Sequence, residues 1–223
     1  MLENCIYNKK KEWNPKNNRE IYLMLTQGFC GGEDLCNDSY CALSCNSCDY
    51  EYDDEEIKEI IKNSNNELFM KYTILHIKAF KEKEEEIYRE TNIKLDYSKT
   101  HDLDKLFMYC FMSKEDAHNL HVKINKHHLP ITEDLDDEIM IEEIIDHDCA
   151  RYTKPDKPKS ALDMNKEFFN CSKYERLCYY LGLTERNTVA ISEEEFYKMA
   201  NKISDKELLE WVKKSFEFMS KIS

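Results

Sequence analysis

The sequence predicts an all-α protein, and three observations support this fold class. Glycine and proline are rare, with four of each among 223 residues. Charged residues make up 35% of the chain, as is common in solvated helices. Hydrophobic residues recur mainly at steps of three and four, and no run alternates as a half-buried strand would. We therefore expect long helices joined by few tight turns.

The charge balance limits the classes of partner. A net charge of −13 argues against electrostatic binding to nucleic acid or to an anionic membrane. A small phosphorylated substrate stays compatible, because a bound cation can dominate the field inside a pocket. No apolar run approaches 18 residues and the N-terminus lacks a signal-peptide pattern, so we expect a cytoplasmic protein without a membrane partner. The oligomeric state is left open.

Changes in composition divide the chain into three parts. Residues 1–50 form a cysteine-rich N-terminal segment with six of the ten cysteines. Residues 51–160 hold all seven histidines and are predicted to form a metal-binding helical domain. Residues 161–223 are predicted to be a C-terminal helical extension that packs on the same core, with Cys171 and Cys178 among its apolar residues.

The N-terminal cysteines suggest a structural zinc site. In a reducing compartment, thiols stay free or bind metals rather than forming disulfides. Zinc usually takes four ligands, often from closely spaced pairs. The candidates are Cys30, Cys36, Cys41, Cys45 and Cys48, of which the last two form a CxxC pair, with Cys5 in reserve. A local group of reduced thiols is the alternative, and redox chemistry at the CxxC pair has little support without a βαβ pattern.

His76 is the first candidate ligand of the middle part. The segment from Glu67 to Glu90 has helical periodicity, with Phe69, Tyr72, Thr73, His76 and Phe80 on one face. His76 should therefore point inward. A single inward histidine is more often a hydrogen-bonded core residue than a ligand, so His76 gains weight only with partners.

Two further histidine-containing segments follow. His101 and Asp102 precede a helix predicted from Leu103 to Met112. Ser113 then resembles a helix cap before a helix that carries His118 and His121, and His127-His128 lie close to its end. Histidines three or seven positions apart share a helix face. An exposed polar helix is the alternative, and at least two of these four histidines are expected to be exposed.

A helix predicted from Thr132 to about Arg151 supplies a buried carboxylate. Leu135, Ile139, Glu142 and Asp146 follow one another at steps of three and four. Burial of Asp146 in this row is costly unless it pairs with a cation or a metal. A contact with Arg151 or a lysine at the helix rim is the alternative.

A basic loop follows this helix and contains Arg151, Lys154, Lys157 and Lys159. The loop either binds phosphate or is simply solvated.

Taken in order, His76, His101-Asp102, His121, His127-His128 and Asp146 resemble the ligand set of HD-domain metal phosphohydrolases. The HDLDK stretch resembles their HDxxK element, and the histidine pair resembles the one that the HD-GYP branch uses in a two-metal site. HDLDK, NKHHLP and DHDCARYTKPDKP are also similar to an uncharacterised HD-like family of bacteria and their phages. The resemblance covers roughly residues 66–160.

The resemblance implies an HD-domain-like helical bundle with the following site residues. A first metal would be bound by His76, His101, Asp102 and Asp146. A second would be bound by His121 and His128, with His127 or His118 as less secure choices. Asp102 and Lys105 would be catalytic, Lys105 contacting a phosphate oxygen, and Arg151 and Lys154 would bind substrate. Glu142 or Glu143 would assist as a base.

Imidazole and carboxylate ligands together suit Mn, Fe, Co, Ni or Zn. The expected function is hydrolysis of a nucleotide or related phosphoester by a metal-activated water. Two other classes stay open from the sequence. One is a non-catalytic, metal-stabilised binding or regulatory protein, such as a phage protein that uses its cysteine-rich segment to hold a partner. The other is a purely structural helical protein.

Overall fold

The computed structural model describes residues 21–22, 52–185 and 189–221, which form α-helices and connecting segments without a β-strand. The all-α prediction is confirmed for this part of the chain. The helices are α1 (Asp54–Ser64), α2 (Glu67–Thr91), α3 (Leu103–Tyr109), α4 (Lys114–Ile124), α5 (Asp137–Ala150), α6 (Ala161–Met164), α7 (Ser172–Tyr180), α8 (Glu193–Ala200) and α9 (Asp205–Lys221).

The candidate zinc ligands Cys30, Cys36, Cys41, Cys45 and Cys48, together with Cys5, lie outside the described residues. No helix within the described ranges combines the length and the apolar character that crossing a bilayer requires.

Several helices begin at polar residues whose side chains cap the first turn. The side chain of Asp53 accepts hydrogen bonds from the first turn of α1, and Glu56 reaches back to the Asp53 amide. Ser113 caps α4, and Ser192 forms a capping box with Glu195 at α8. These side chains satisfy backbone amides that have no partner inside the helix.

Other helix boundaries differ from the predictions. The helix expected from Thr132 begins at Asp137 instead, because the Asp136 carboxylate accepts from the Glu138 amide. The helix expected to reach Met112 ends at Tyr109. His127 and His128 lie in a separate 3₁₀ turn, Lys126–His128, rather than in α4.

The sequence predicts helices from about Ala161 to Leu181, and the structure divides this stretch into α6 and α7 with a break between them. A π-helical turn, Asn165–Phe169, follows α6, and Asn170 adopts a left-handed conformation before α7 begins. The Asn165 amide group exchanges two hydrogen bonds with the backbone of Cys171, which stabilises the break. Gly182, beyond α7, has a φ of 73° and ends the helical path as its residue type predicts.

Two hydrophobic clusters meet along α2, the longest helix. One cluster packs α3 and α9 against the first half of α2, with Ile74 and Phe107 buried. The other packs α5 and α7 against its second half, with Phe80 and Ile144 buried. Both halves of α2 are therefore held in place, and His76, near its midpoint, is fully buried.

Candidate metal centre

Four separate segments bring histidine and aspartate side chains together in the interior. His76 comes from α2, His101 and Asp102 from the turn before α3, and Asp146 from α5. The end of α4 and the following 3₁₀ turn supply His121, His127 and His128. All but two of these residues are buried, and Asp146 and His128 are half-buried.

The turn that carries His101 and Asp102 is fixed by its backbone. The Glu84 carboxylate on α2 accepts hydrogen bonds from the Tyr97 amide at 2.6 Å and the Ser98 amide at 3.2 Å. The His101 amide in turn donates to the Tyr97 carbonyl at 2.9 Å. Asp102 has a φ of 60°, in the left-handed region that few non-glycine residues adopt. The turn therefore presents both side chains to the interior.

The first group of donors consists of His76, His101 and Asp146. Nε2 of His76 donates to Oδ1 of Asp146 at 2.6 Å, and Nε2 of His101 lies 3.9 Å from the same oxygen. One donor atom from each residue falls within a 4.8 Å set. Donors at the usual distance from one ion are about 3–4 Å apart. Small side-chain movements would therefore bring the three into coordination.

The second group consists of His121, His127 and His128, whose donor atoms also fall within 4.8 Å of one another. Asp102 lies between the two groups. Its Oδ1 is 3.1 Å from Nε2 of His121, 4.0 Å from Nε2 of His127 and 3.9 Å from Nε2 of His101. Asp102 is therefore placed to serve both groups at once.

In His76, His101 and His121 one ring nitrogen, Nδ1, contacts a residue outside the two donor groups. We call Nδ1 the outer nitrogen and Nε2 the inner nitrogen. Nδ1 of His101 lies 3.0 Å from Oε1 of Glu142, and Nδ1 of His121 lies 2.8 Å from Oδ2 of Asp104. Because a carboxylate only accepts, each Nδ1 donates the hydrogen bond, and Nε2 of each ring faces Asp102. Metal-binding histidines are commonly oriented in this way. Nδ1 of His76 lies 3.3 Å from the Thr153 hydroxyl.

The inner nitrogens are the best evidence that the site fits a metal. Nε2 of His101, His127 and His128 is buried and has no hydrogen-bond partner in the described part of the chain. Buried polar atoms are otherwise almost always hydrogen-bonded. Three such atoms on neighbouring rings, aimed into one small region beside two carboxylates, are a donor set that suits a transition metal.

Electrostatics keep most of these groups in the ligand form. Burial lowers the pKa of His76 and His127 to about 4 and that of His128 to about 3. Burial disfavours the ionised form of Asp102, but Lys105 and neighbouring histidines hold its pKa well below the usual value. Lys154 and His76 do the same for Asp146. At neutral pH these histidines are neutral and both aspartates are ionised.

His121 differs from the other histidines. Burial acts to lower its pKa, yet the charges of Asp104 and Asp102 raise it overall. The Asn125 amide also donates to Asp104 at 2.6 Å, which fixes the carboxylate that holds the His121 ring.

A cavity of about 880 Å³ opens beside the cluster and reaches Asp102. Its wall comes from α2, α3, α4, α8 and the loop after α5. The lining includes the four lysines Lys105, Lys114, Lys154 and Lys157, the five aromatic residues Phe69, Tyr72, Tyr109, Phe196 and Tyr197, and the acidic residues Asp102, Asp156 and Glu193.

The predicted basic residues have different positions. Nζ of Lys105 pairs with Oδ1 of Asp102 at 2.8 Å, and Nζ of Lys154 lies 4.0 Å from Oδ1 of Asp146. Both lysines line the cavity. Arg151 is instead buried, and its guanidinium pairs with Asp148 at 3.5 Å and Glu185 at 3.0 Å. The structure thus gives Arg151 structural partners rather than a place in the cavity lining.

The histidines beyond the cluster are also distinct. His118 lines the cavity wall but belongs to neither donor group. His127, the less secure choice from the sequence, lies in the second group together with His121 and His128. Nδ1 of His147 and the Tyr174 hydroxyl lie 2.9 Å apart, and the ring stacks on Phe169.

Two carboxylates, those of Asp104 and Glu142, contact the histidine rings of the cluster, and the sequence alone did not indicate this role. Asp104 lies within the HDLDK stretch, but its partner His121 is 17 residues away, so no local spacing marks it. Glu142 contacts His101 and His127, while Glu143 points elsewhere, with one oxygen buried and without a partner in the described region. Glu142 lies four residues before Asp146 on the row of α5 that the sequence shows, and this spacing was a usable signal.

No family model matches the chain, and neither a curated protein nor a solved structure shows a significant match.

Proposed function

We propose that the protein is a metal-dependent phosphohydrolase that acts on a nucleotide or a related phosphoester. The observation that carries this proposal is the position of Asp102. Its carboxylate faces both donor groups and also borders the lysine-lined cavity. A phosphate group in the cavity would therefore lie beside any metal held by the cluster.

Different residues of the cluster would bind each of two metal ions. His76, His101, Asp102 and Asp146 would hold one ion, and His121, His127 and His128 would hold a second with Asp102 shared. When bound, such ions activate water by lowering its pKa toward 7 and polarise phosphoryl oxygens. Candidate metals are Mn, Fe, Co, Ni and Zn.

The lysines would bind and orient the substrate. Lys105 and Lys154 each lie close to one of the two aspartates while lining the cavity. Their charges are thus held next to the metal positions, where negative charge builds up on a phosphate during its transfer. Lys114 and Lys157 supply further positive charge along the wall.

The aromatic walls favour a substrate with a flat group beside its phosphate. Tyr72, Phe196 and Tyr197 line the cavity, and the Tyr72 and Phe196 rings are 5.7 Å apart. Aromatic side chains bind a nucleobase by stacking, which is tolerant of its identity. A phosphate near the lysines and a base against these rings would both be accommodated in about 880 Å³.

The test is a comparison of Asp102→Gly with Asn92→Gly. Glycine suits the left-handed backbone at both positions, where φ is 60°, so neither change should strain the fold. Asp102→Gly removes only the shared carboxylate, whereas Asn92 ends α2 far from the cluster. Each protein is purified, loaded with Mn²⁺ or Co²⁺, analysed for metal content, and assayed against nucleotides and p-nitrophenyl phosphoesters.

We expect the wild-type and Asn92→Gly proteins to bind metal and to hydrolyse at least one of these substrates. Asp102→Gly should lose metal and activity while its circular dichroism spectrum in chelator stays close to wild type. Wild-type protein that is fully loaded but inactive on every substrate would refute the hydrolase and favour a metal-binding protein. Full activity in Asp102→Gly would refute the assigned site.

A further inference from the structure

We propose that Glu142 is a positioning residue that couples the two donor groups, so that two metal ions bind as a linked pair. The inference rests on the metal binding assumed in the proposed function, but not on the identity of the substrate. It concerns a residue whose side chain holds two metal-binding rings in place.

A single oxygen atom makes the link. Oε1 of Glu142 lies 3.0 Å from Nδ1 of His101 and 3.3 Å from Nδ1 of His127. The two rings are neighbours, with centroids 4.8 Å apart and planes inclined by 43°. A carboxylate oxygen has two lone pairs, so Oε1 can accept from both rings at once. Both Nε2 atoms are then left as free donors, which is how they are found.

The two rings belong to different groups. His101 contributes to the group with His76 and Asp146, and His127 to the group with His121 and His128. The other partners of Nδ1 atoms each contact a histidine of a single group. Asp104 contacts His121 in the second group, and Thr153 contacts His76 in the first. Asp102 also reaches both groups, but it does so from the side of the inner nitrogens.

The position of Glu142 on α5 gives the link rigidity. Glu142 lies four residues before Asp146, so both side chains leave the same face of the helix. A movement of α5 would therefore shift the carboxylates of Asp146 and Glu142 together. The side chain of Glu142 is 20% exposed, which puts it at the edge of the cluster rather than in the cavity lining.

Coupling follows from this geometry. An ion bound to Nε2 of His101 fixes that ring and so fixes Oε1 of Glu142. The fixed oxygen then holds His127 in its binding orientation before a second ion arrives, which reduces the entropy lost on ordering that ring. Linkage requires the effect to be reciprocal, and couplings of this kind usually change affinity about 5- to 150-fold.

The test measures metal binding rather than catalysis. Co²⁺ is titrated into chelator-treated protein by calorimetry, and its visible spectrum reports the coordination of each ion. Two single-group backgrounds separate the sites: His128→Ala keeps the first group and His76→Ala keeps the second. Glu142→Ala is made in the wild-type protein and in both backgrounds. Glu138→Gln, exposed and one turn earlier on α5, is the matched control.

We expect the wild type to bind two ions, each more tightly than in the corresponding single-group background. Glu142→Ala should weaken binding about 10- to 100-fold in both backgrounds, as loss of an outer partner typically does. It should also reduce the difference in affinity for each ion between the wild type and the corresponding single-group background. Asp104→Asn should weaken only the second group, and Glu138→Gln should change neither.

Three results would overturn the inference. In the first, Glu142→Ala weakens binding in one background only or in neither. In the second, the wild type binds its two ions independently. In the third, the wild type binds no ion, and the proposed function then fails as well. Circular dichroism and melting curves in chelator identify any variant that fails to fold, and Glu142→Gln, which keeps an acceptor oxygen, replaces Glu142→Ala if that variant unfolds.

Discussion

Nε2 of His76 lies 2.6 Å from Oδ1 of Asp146, although the two residues are 70 positions apart in the chain. The contact joins the middle of α2 to the last turns of α5, two helices that pack closely along the second hydrophobic cluster. Packing thus assembles the first donor group, and the hydrogen bond holds the two side chains in register.

In chelator-treated protein, stability should fall as the pH is lowered from about 6.5 to about 4. Burial lowers the pKa of His76 and His127 to about 4 and of His128 to about 3, so the unfolded chain takes up protons that the folded chain does not. His121 and Glu143, whose pKa values are raised, act in the opposite direction, but the three histidines outweigh these two groups.

Thermal unfolding followed by circular dichroism across this pH range measures the effect. His127→Gln removes one of the titrating rings and should make the dependence shallower. A melting temperature that stays constant or rises on acidification would contradict the prediction.

Asp148→Ala should destabilise the fold by about 3–5 kcal/mol, the usual result of leaving buried charges without a partner. The Asp148 carboxylate lies 3.3 Å from Nζ of Lys83 and accepts from the Ala161 amide at 3.2 Å, besides pairing with Arg151. Denaturant unfolding gives the free energy of unfolding. As the control, Glu194→Ala breaks an exposed pair with Lys198 and should have no measurable effect. Equal stabilities for the two variants would show that the buried network contributes little.

Glu143→Gln should stabilise the protein increasingly as the pH rises from about 4.5 to about 8. Burial and the nearby Asp146 raise the pKa of Glu143 to about 8. The folded state therefore binds a proton that the unfolded state has lost, and the contribution of Glu143 to wild-type stability declines across this range. Glutamine keeps the neutral form at every pH. Unfolding curves at several pH values should diverge, whereas parallel curves for wild type and variant would rule out this environment for Glu143.

If the cavity binds a phosphoester, Lys154→Met should lower kcat/KM by about 10- to 100-fold, equivalent to loss of one charged hydrogen bond. Lys154 lines the cavity beside Asp146. Lys159→Met is the matched control, since Lys159 belongs to the same loop but pairs with Glu167 away from the cavity lining. Steady-state kinetics on the substrate identified for the wild type measures both. Equal losses in the two variants would indicate a general effect of charge.

Local sequence signals predicted much of the fold. The face of α2 follows from its periodicity, and the caps at Asp53, Ser113 and Ser192 follow from residue type. Thr132 and Asp136 are both plausible caps, and only the tertiary structure decides between them. The break after α6 depends on Asn165 meeting the backbone of Cys171, a contact that no periodic pattern reveals.

Only part of the candidate site could be predicted from the sequence. The inward position of His76 could be predicted because a helix face determines it. Arg151 shows that residues close in sequence can point in different directions. It lies five residues after Asp146, about 140° further around a helical path at 100° per residue, and so points to another side of α5. Helical spacing favoured His128 over His127, yet both belong to the second donor group. They lie in a separate turn, Lys126–His128, that depends on Asn125, whose side chain bonds Asp104 from α3.

The four lysines that line the cavity belong to a chain with a net charge of −13, and this contrast affects how an anion would approach. At long range an anion meets repulsion from the acidic exterior, and only near the opening does it meet the lysine charges. Added salt screens distant charges more strongly than those in contact, over a Debye length of about 8 Å at 0.15 M. Moderate salt should therefore speed the capture of small anions, the reverse of the usual slowing seen with attractive steering.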